Sequence, residues 1–148
     1  AVREPKNLLV RVGTPVRLLI EAAGGTDGRP AKIISGGPMM GLAQHTDAVP
    51  VIKGSSGLLC LPPALVPVSA PQPCIRCGAC VRACPAGLLP TELVRMVKAK
   101  DYDGVEAAGV LDCIECGSCS FGCPSNIELV QYIRLGKAEV MARKRKKS

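Results

Sequence analysis

Eight of the nine cysteines fall in two runs with identical spacing, C-x2-C-x2-C-x3-C-P. The first run comprises Cys74, Cys77, Cys80 and Cys84, and the second comprises Cys113, Cys116, Cys119 and Cys123. Thiolates at this spacing hold [4Fe-4S] clusters in two-cluster ferredoxins, where the fourth cysteine of each run binds the other cluster. The sequence therefore predicts crossed ligation of two clusters. Cluster I would use Cys74, Cys77, Cys80 and Cys123, and cluster II would use Cys113, Cys116, Cys119 and Cys84.

Two other uses of cysteine fit the pattern less well. A structural zinc site needs only two C-x2-C pairs, which leaves the third and fourth cysteines of each run unexplained. A disulfide framework fits a secreted chain, but no signal peptide precedes the runs and the cysteine count is odd. Gly78 and Gly117 each follow the second cysteine of a run, and we expect them to permit a tight turn in which backbone N–H groups face the sulfurs.

The chemistry that this ligand set predicts is one-electron transfer between the clusters, with no catalytic nucleophile or proton donor. Local charge contributes to each reduction potential. The first run carries Arg76 and Arg82, whereas the second is flanked by Asp112 and contains Glu115. Because a positive neighbour favours the added electron, we expect cluster I to have the higher potential, by a modest margin. A module in which metal only supports folding is the non-redox alternative.

Length and charge narrow the remaining classes. The 148 residues suffice for one medium domain or two small ones, and no apolar run approaches the ~20 residues of a membrane-spanning helix. Five of the nineteen lysines and arginines lie at 143–147, so the formal charge of +7 resides mainly in a basic tail. This tail suits an anionic lipid or an acidic partner, or it is a solvated helix end. With three aromatic residues in the chain, nucleic-acid binding is not expected.

The first 61 residues predict a small α+β domain. Alternating apolar residues indicate a strand over 6–12, and shorter strands are predicted at 31–35, 49–53 and 57–61. A helix is predicted from Pro15 to about Ala23, with Thr14 as its N-cap and Leu18, Leu19 and Ala22 facing inward. Gly24-Gly25 would end it.

Three further features of this half carry no functional prediction. The loop Gly36–Gly41 matches no phosphate-binding pattern and is interpreted as a tight turn against packed backbone. His45, the only histidine, is given no role, and Cys60 is predicted to be a buried apolar residue and not a ligand.

The second half predicts helices around the cysteines. Five prolines over 62–73 indicate a stiff linker. A helix over 91–99 is predicted to be capped by Thr91 and to bury Leu93, Val94 and Val97; residues 101–104 would break it before a short helix over 105–108. Ser125 and Glu128 form a capping-box pattern ahead of a long helix through Val130, Ile133, Lys137 and Met141. The predicted domains are 1–61, a linker at 62–73, a helical cluster-binding domain at 74–142 and a basic tail at 143–148.

Several stretches resemble the C subunit of the Rnf complex, an ion-translocating oxidoreductase that links NADH and ferredoxin in a bacterial membrane. The resemblance rests on the sequence around Asn7–Pro15, the loop Gly36–Gly41, both cysteine runs and Ser125–Tyr132. It implies a soluble-ligand-binding β-grasp domain up to about residue 61, followed by an α-helical ferredoxin domain with two [4Fe-4S] clusters. Because the chain starts at Ala1, we expect it to be a piece of a longer protein.

The resemblance also implies cofactors, partners and a location. FMN and NADH are expected only on an N-terminal domain that this chain lacks, so the chain alone would carry electrons without oxidising NADH. The other Rnf subunits, and a soluble ferredoxin, are the implied partners. Peripheral attachment at the cytoplasmic face of the inner membrane is the implied location, and the reducing cytoplasm agrees with thiolate ligands. The cobalamin reductase of bacterial microcompartments is similar too, and a stand-alone electron carrier is a further alternative.

Overall fold

The computed structural model describes residues 1–66 and 70–147. The chain divides into two compact units, 1–68 and 69–148. Pro67 of the predicted linker and Ser148 of the predicted tail lie outside the described residues, as does the side chain of Lys147. Pro63–Leu65, within that linker, forms a single 3-10 turn.

The first unit contains one helix and one small antiparallel sheet. Helix α1 spans Val16–Ala22, and the strands are β1 (Lys32–Ser35), β2 (Leu42–Gln44) and β3 (Leu58–Leu61). The sheet order is β2-β1-β3, with Ile34 paired to Ala43 on one side and to Leu59 on the other. Ile34 in the central strand and Cys60 in β3 are buried. Together with the helices of the second unit, this makes the α+β class that the sequence predicts.

The turn between β1 and β2 is the glycine-rich loop. The N–H of Gly41 donates to the Gly37 carbonyl oxygen at 2.8 Å. A side chain at Gly41 would overlap Ile34 and the backbone oxygens of Ser35 and Gly37, so only glycine fits there. The prediction of a tight turn against packed backbone is confirmed.

Two strand predictions in this unit are wrong. In the part of the chain that the structure describes, residues 6–12 form no strand; Leu9 is fully exposed, and Val12 is 69% exposed. An alternating pattern makes a strand only where a neighbour supplies hydrogen bonds and a face to bury. Residues 49–53 instead follow the start of α1: the N–H of Val16 donates to the Val49 carbonyl oxygen at 2.9 Å. The short strand β2 is absent from the sequence prediction, because three residues beside a turn carry too little pattern.

Helix α1 is where the sequence places it, with different details. Pro15 is its N-cap, while the Thr14 hydroxyl donates to the Arg11 carbonyl oxygen at 2.7 Å. Thr14 is therefore not the cap. Leu18 and Ala22 are exposed and Leu19 is half-buried; Val16 and Ala23 are the buried residues. Gly24 and Gly25, both at positive φ, end the helix as predicted.

The second unit is helical. Its elements are α2 (Ala79–Arg82), α3 (Pro90–Lys98), α4 (Tyr102–Ala107), α5 (Ser118–Phe121) and α6 (Leu129–Lys147), with a 3-10 turn at Val110–Asp112. Helix α6 packs against α3 and α4. The most buried side chains of this core include Leu93, Val105, Leu129, Ile133 and Val140. Each of these is expected to contribute about 1.5–3 kcal/mol through removal of its apolar surface from water.

Helices α3, α4 and α6 follow the predicted apolar spacing, and Leu93, Val94 and Val97 are buried as expected. Two caps differ. Leu89 precedes α3 with Pro90 at the first helical position, so Thr91 is not the cap. Asp101 accepts a hydrogen bond from the N–H of Gly104 and starts α4 at Tyr102, three residues earlier than predicted. The basic residues at 143–147 continue α6, with Arg143 over the Tyr102 ring and Lys144 2.7 Å from Glu106.

Candidate iron–sulfur site

The two cysteine runs fold in the same way. Arg76 (φ 56°) and Glu115 (φ 58°) occupy the left-handed region, as do Gly78 (φ 72°) and Gly117 (φ 82°). A non-glycine residue held there costs on the order of 1–3 kcal/mol, which marks both loops as shaped for a purpose. In each loop this turn directs a backbone N–H at the first sulfur: the Arg76 N–H donates to Cys74 Sγ, and the Glu115 N–H to Cys113 Sγ, both at 3.4 Å.

The third cysteine of each run lies on a one-turn helix and is buried. Cys80 is 7% exposed and Cys119 is 8% exposed. Burial raises the pKa of both thiols, and the neighbouring thiolates raise it further. For Cys80 those neighbours are Cys123 and Cys74; for Cys119 they are Cys113 and Cys116. Thiols with raised pKa values in an apolar site become thiolates readily only when a cation binds them.

One cavity brings the two runs together. Cys84, the fourth cysteine of the first run, lines it with Cys113, Cys116 and Cys119 of the second. The rest of the lining is apolar and includes Leu88, Val130 and Ile133. This is the set that the sequence predicts for cluster II.

The other set meets at a backbone junction. The Ser125 hydroxyl donates to the Pro73 carbonyl oxygen at 3.0 Å, and the Gln72 N–H donates to the Ser125 carbonyl oxygen at 2.8 Å. These bonds bind the residue just before Cys74 to the segment that follows Cys123. Cys77 belongs to the same loop, and its carbonyl oxygen accepts a hydrogen bond from Arg82 Nη1 at 3.0 Å. Arg82 therefore lies on the first loop.

The donor chemistry fits iron–sulfur clusters. All eight thiols are free cysteines, and within residues 1–66 and 70–147 no three Cys, His, Asp or Glu side chains form a group tight enough for a single ion. A zinc ion would need four ligands within about 2.3 Å of one point. Wider sets of thiols, with backbone N–H groups aimed at sulfur and apolar walls, suit the larger cluster.

Helix α6 reaches the second loop with two cations. Arg134 Nε lies 3.0 Å from Glu115 Oε2, and Lys137 Nζ lies 3.6 Å from Glu115 Oε1. Lys137 also donates to the Cys113 carbonyl oxygen at 2.6 Å. The charge of Glu115, which is the main reason to expect a lower potential for cluster II, is thus offset. The sequence gave no signal of these contacts, since 19 and 24 residues separate the partners.

The predicted capping box at the start of α6 is wrong. Ser125 is engaged with Pro73, and α6 begins at Leu129. The hydroxyl oxygen of Ser120, in the second cysteine run, instead accepts a hydrogen bond from the Val130 N–H at 2.8 Å. The cluster loop and the first turn of α6 are therefore joined directly. Cys116 has a similar local partner, because the Ser118 hydroxyl 3.4 Å from its sulfur lowers the pKa of that thiol.

The first unit holds a second cavity, of about 430 Å³, bordered by α1 and β3. Its lining is mostly apolar, for example Val16, Leu19 and Leu58, with Ser55 and Ser56 at one side. Cys60 borders it and is 6% exposed, and burial raises the pKa of its thiol. Cys60 is a buried apolar residue, as predicted, and His45 is exposed.

Comparison with known proteins agrees with this arrangement. Residues 73–128 match the family described as a 4Fe-4S dicluster domain, and residues 1–43 match the SLBB domain. Within the part of the chain that the structure describes, no helix is both long and apolar enough to cross a bilayer.

Three relatives illustrate the similarity. The C subunit of a Na(+)-translocating ferredoxin:NAD(+) oxidoreductase complex from Acetobacterium woodii is 42% identical over 99% of this chain and 33% of its own length. The C subunit of an ion-translocating oxidoreductase complex from Rhodobacter capsulatus is 44% identical over 74% of this chain and 21% of its own length. The C subunit of a proton-translocating ferredoxin:NAD(+) oxidoreductase complex from Clostridium ljungdahlii is 50% identical over 63% of this chain and 20% of its own length.

The matched region thus spans a fifth to a third of these relatives. Both halves of the chain match families, and the relatives share one description. With its 4Fe-4S domain and its SLBB match, the chain belongs to the family formed by the C subunits of the ion-translocating oxidoreductase complexes.

Proposed function

We propose that this chain is the iron–sulfur part of the C subunit of a membrane-bound ion-translocating oxidoreductase and relays electrons between NADH/flavin and ferredoxin. The observation that supports this most is the cavity in which Cys84 meets Cys113, Cys116 and Cys119. It joins the two runs in the way that two-cluster ferredoxins require. When bound, iron–sulfur clusters supply one-electron carriage without bond making or proton transfer.

We propose two clusters with crossed ligands. Cluster I is assigned to the set Cys74, Cys77, Cys80 and Cys123, and cluster II to the set Cys113, Cys116, Cys119 and Cys84. The junction between Ser125 and Pro73 supports the first set, since it holds the segment after Cys123 beside Cys74. The protein contributes the thiolates, the N–H groups directed at sulfur and the buried third cysteine of each run.

The wider assignment follows from the relatives. FMN and the NADH site would lie in a region outside this chain, and electrons would pass through these clusters in single steps. The partners would be the other subunits of the complex and a soluble ferredoxin, at the cytoplasmic face of the bacterial inner membrane. The domain limits proposed are 1–61, 62–73, 74–142 and 143–148. Two relatives are named for different ions, Na⁺ and H⁺, so the family alone does not fix the coupling ion.

Anaerobic purification of the full chain tests the core of this proposal. Two [4Fe-4S] clusters would give about eight irons and eight sulfides per chain and a reducible, brown protein with an EPR signal. A colourless protein that binds zinc would reject electron transfer and favour the structural alternative. Copurification with integral membrane subunits would separate the membrane complex from the corrinoid reductase and the free carrier; the names of the three relatives favour the first.

A further inference from the structure

The second unit contains an internal repeat that allows a position-by-position comparison of charge. Shifting the sequence by thirty-nine residues places Cys74 on Cys113 and the first run on the second. The same shift places Arg76 on Glu115, Arg95 on Arg134 and Lys98 on Lys137. Helices α3 and α6 therefore carry the same two cations at equivalent positions, while the loops carry opposite charges.

In the second half of the repeat, both cations contact the cysteine loop. Arg134 and Lys137 reach the Glu115 carboxylate, at 3.0 Å and 3.6 Å, and Lys137 also binds the carbonyl oxygen of Cys113. Their side chains are only 23% and 22% exposed, and that of Glu115 is 34% exposed. Charges this far removed from water are screened less than surface pairs, so the contacts order the loop and shape its field.

In the first half, the equivalent cations contact other residues. Arg95 pairs with Glu92 on its own helix at 2.8 Å, with both side chains well exposed. Lys98 lies over the ring of Tyr132, 4.6 Å from its centroid. No contact of either cation with the first cysteine loop is present among the described residues. The first loop is also the more open one, since Cys74 and Cys77 are exposed whereas Cys113 and Cys116 are half-buried.

We propose that Arg134 and Lys137 are positioning residues for the second cysteine loop and set the reduction potential of the cluster held there. This inference rests on the proposed function. The two cations offset Glu115 and fix the loop at the Cys113 carbonyl. They favour the added electron at that cluster, because positive charge nearby stabilises the reduced, more negative state. The repeat has thus diverged in charge so that only one of its two loops is tied to a helix by these cations.

Potentiometry followed by EPR on the anaerobic full chain tests the proposal. In R134Q/K137Q the potential of the second cluster is expected to fall by a tenfold change in its reduction equilibrium, about 59 mV for a one-electron couple. The first cluster should not move. The matched control R95Q/K98Q alters the equivalent cations and should leave both potentials unchanged. Adding E115Q to R134Q should return the second potential toward wild type.

The conservative pair R134K/K137R separates charge from folding. It keeps both cations and should preserve the second potential. Selective loss of the second cluster in R134Q/K137Q, with its retention in R134K/K137R and in the control, would also support a positioning role. An unchanged second potential in R134Q/K137Q, or equal shifts in R95Q/K98Q, would overturn the inference while leaving the proposed relay intact. A wild-type chain without iron would overturn the proposed function itself.

Discussion

Ser125 donates its hydroxyl proton to the carbonyl oxygen of Pro73 at 3.0 Å, across 52 residues of sequence. The bond ties the segment after the last cysteine of the second run to the residue before the first cysteine of the first run. Pro73 lacks an N–H and its neighbour Gln72 donates to the Ser125 carbonyl oxygen, so the two segments are joined in both directions. Crossed ligation thus has a structural basis outside the cysteines themselves.

Replacing Ser125 tests that junction. S125A leaves the Pro73 oxygen without its partner, and we expect a loss of about 1–2 kcal/mol in stability. The loss should appear as faster release of the first cluster, followed by its EPR signal under a chelator. S120A serves as control, because it removes a hydroxyl that binds the Val130 N–H at the start of α6. Faster release of the second cluster alone in S125A would contradict the assignment.

Gly136 is a point where α6 closely approaches its neighbours. A Cβ at this position would overlap Val97 Cγ2 and lie 3.3 Å from Val105 Cγ1. Alanine normally favours a helix over glycine by about 1 kcal/mol, but crowding of a packed core costs roughly 1–3 kcal/mol. We therefore expect G136A to lower the thermal unfolding midpoint of the cluster-loaded chain. A rise in the midpoint would show that α3 and α6 are less tightly packed than the structure indicates.

Cys60 is the one cysteine outside the runs. C60A should leave the iron content and both EPR signals unchanged, at a cost of about 1 kcal/mol in stability. Because burial raises the pKa of the Cys60 thiol, it should also be alkylated slowly at neutral pH in the folded protein. Iron analysis of C60A beside C119A makes the comparison; loss of iron in C60A would assign it a ligand role.

The sequence predicted what depends on local pattern and missed what depends on distant partners. Helices α3 and α6 were predictable because Leu93, Val97, Val130 and Ile133 repeat at helical spacing. The ligand sets followed from cysteine spacing alone and stay a prediction. The strand at 6–12 was wrong because its alternating residues found no neighbouring strand to pair with. The capping box was wrong because Pro73, far away in sequence, engages Ser125.

Charge was the hardest property to infer. Glu115 has a sequence context that indicates an exposed acidic loop, yet Arg134 and Lys137 approach it from α6. Nothing in the local sequence distinguishes these cations from Arg95 and Lys98, which occupy equivalent positions in the repeat and contact other residues. Only the folded arrangement reveals the difference between the two loops.

The central claim is that each cluster draws its fourth ligand from the other run, and paired cysteine substitutions measure this most directly. Iron is counted in anaerobically reconstituted C74A/C123A and C113A/C123A, with helix content checked by circular dichroism. Crossed ligation places both changes of C74A/C123A in one cluster, so this variant should keep about four irons. C113A/C123A removes a ligand from each cluster and should keep almost none. The reverse pattern, with iron retained in C113A/C123A and lost in C74A/C123A, would contradict the account.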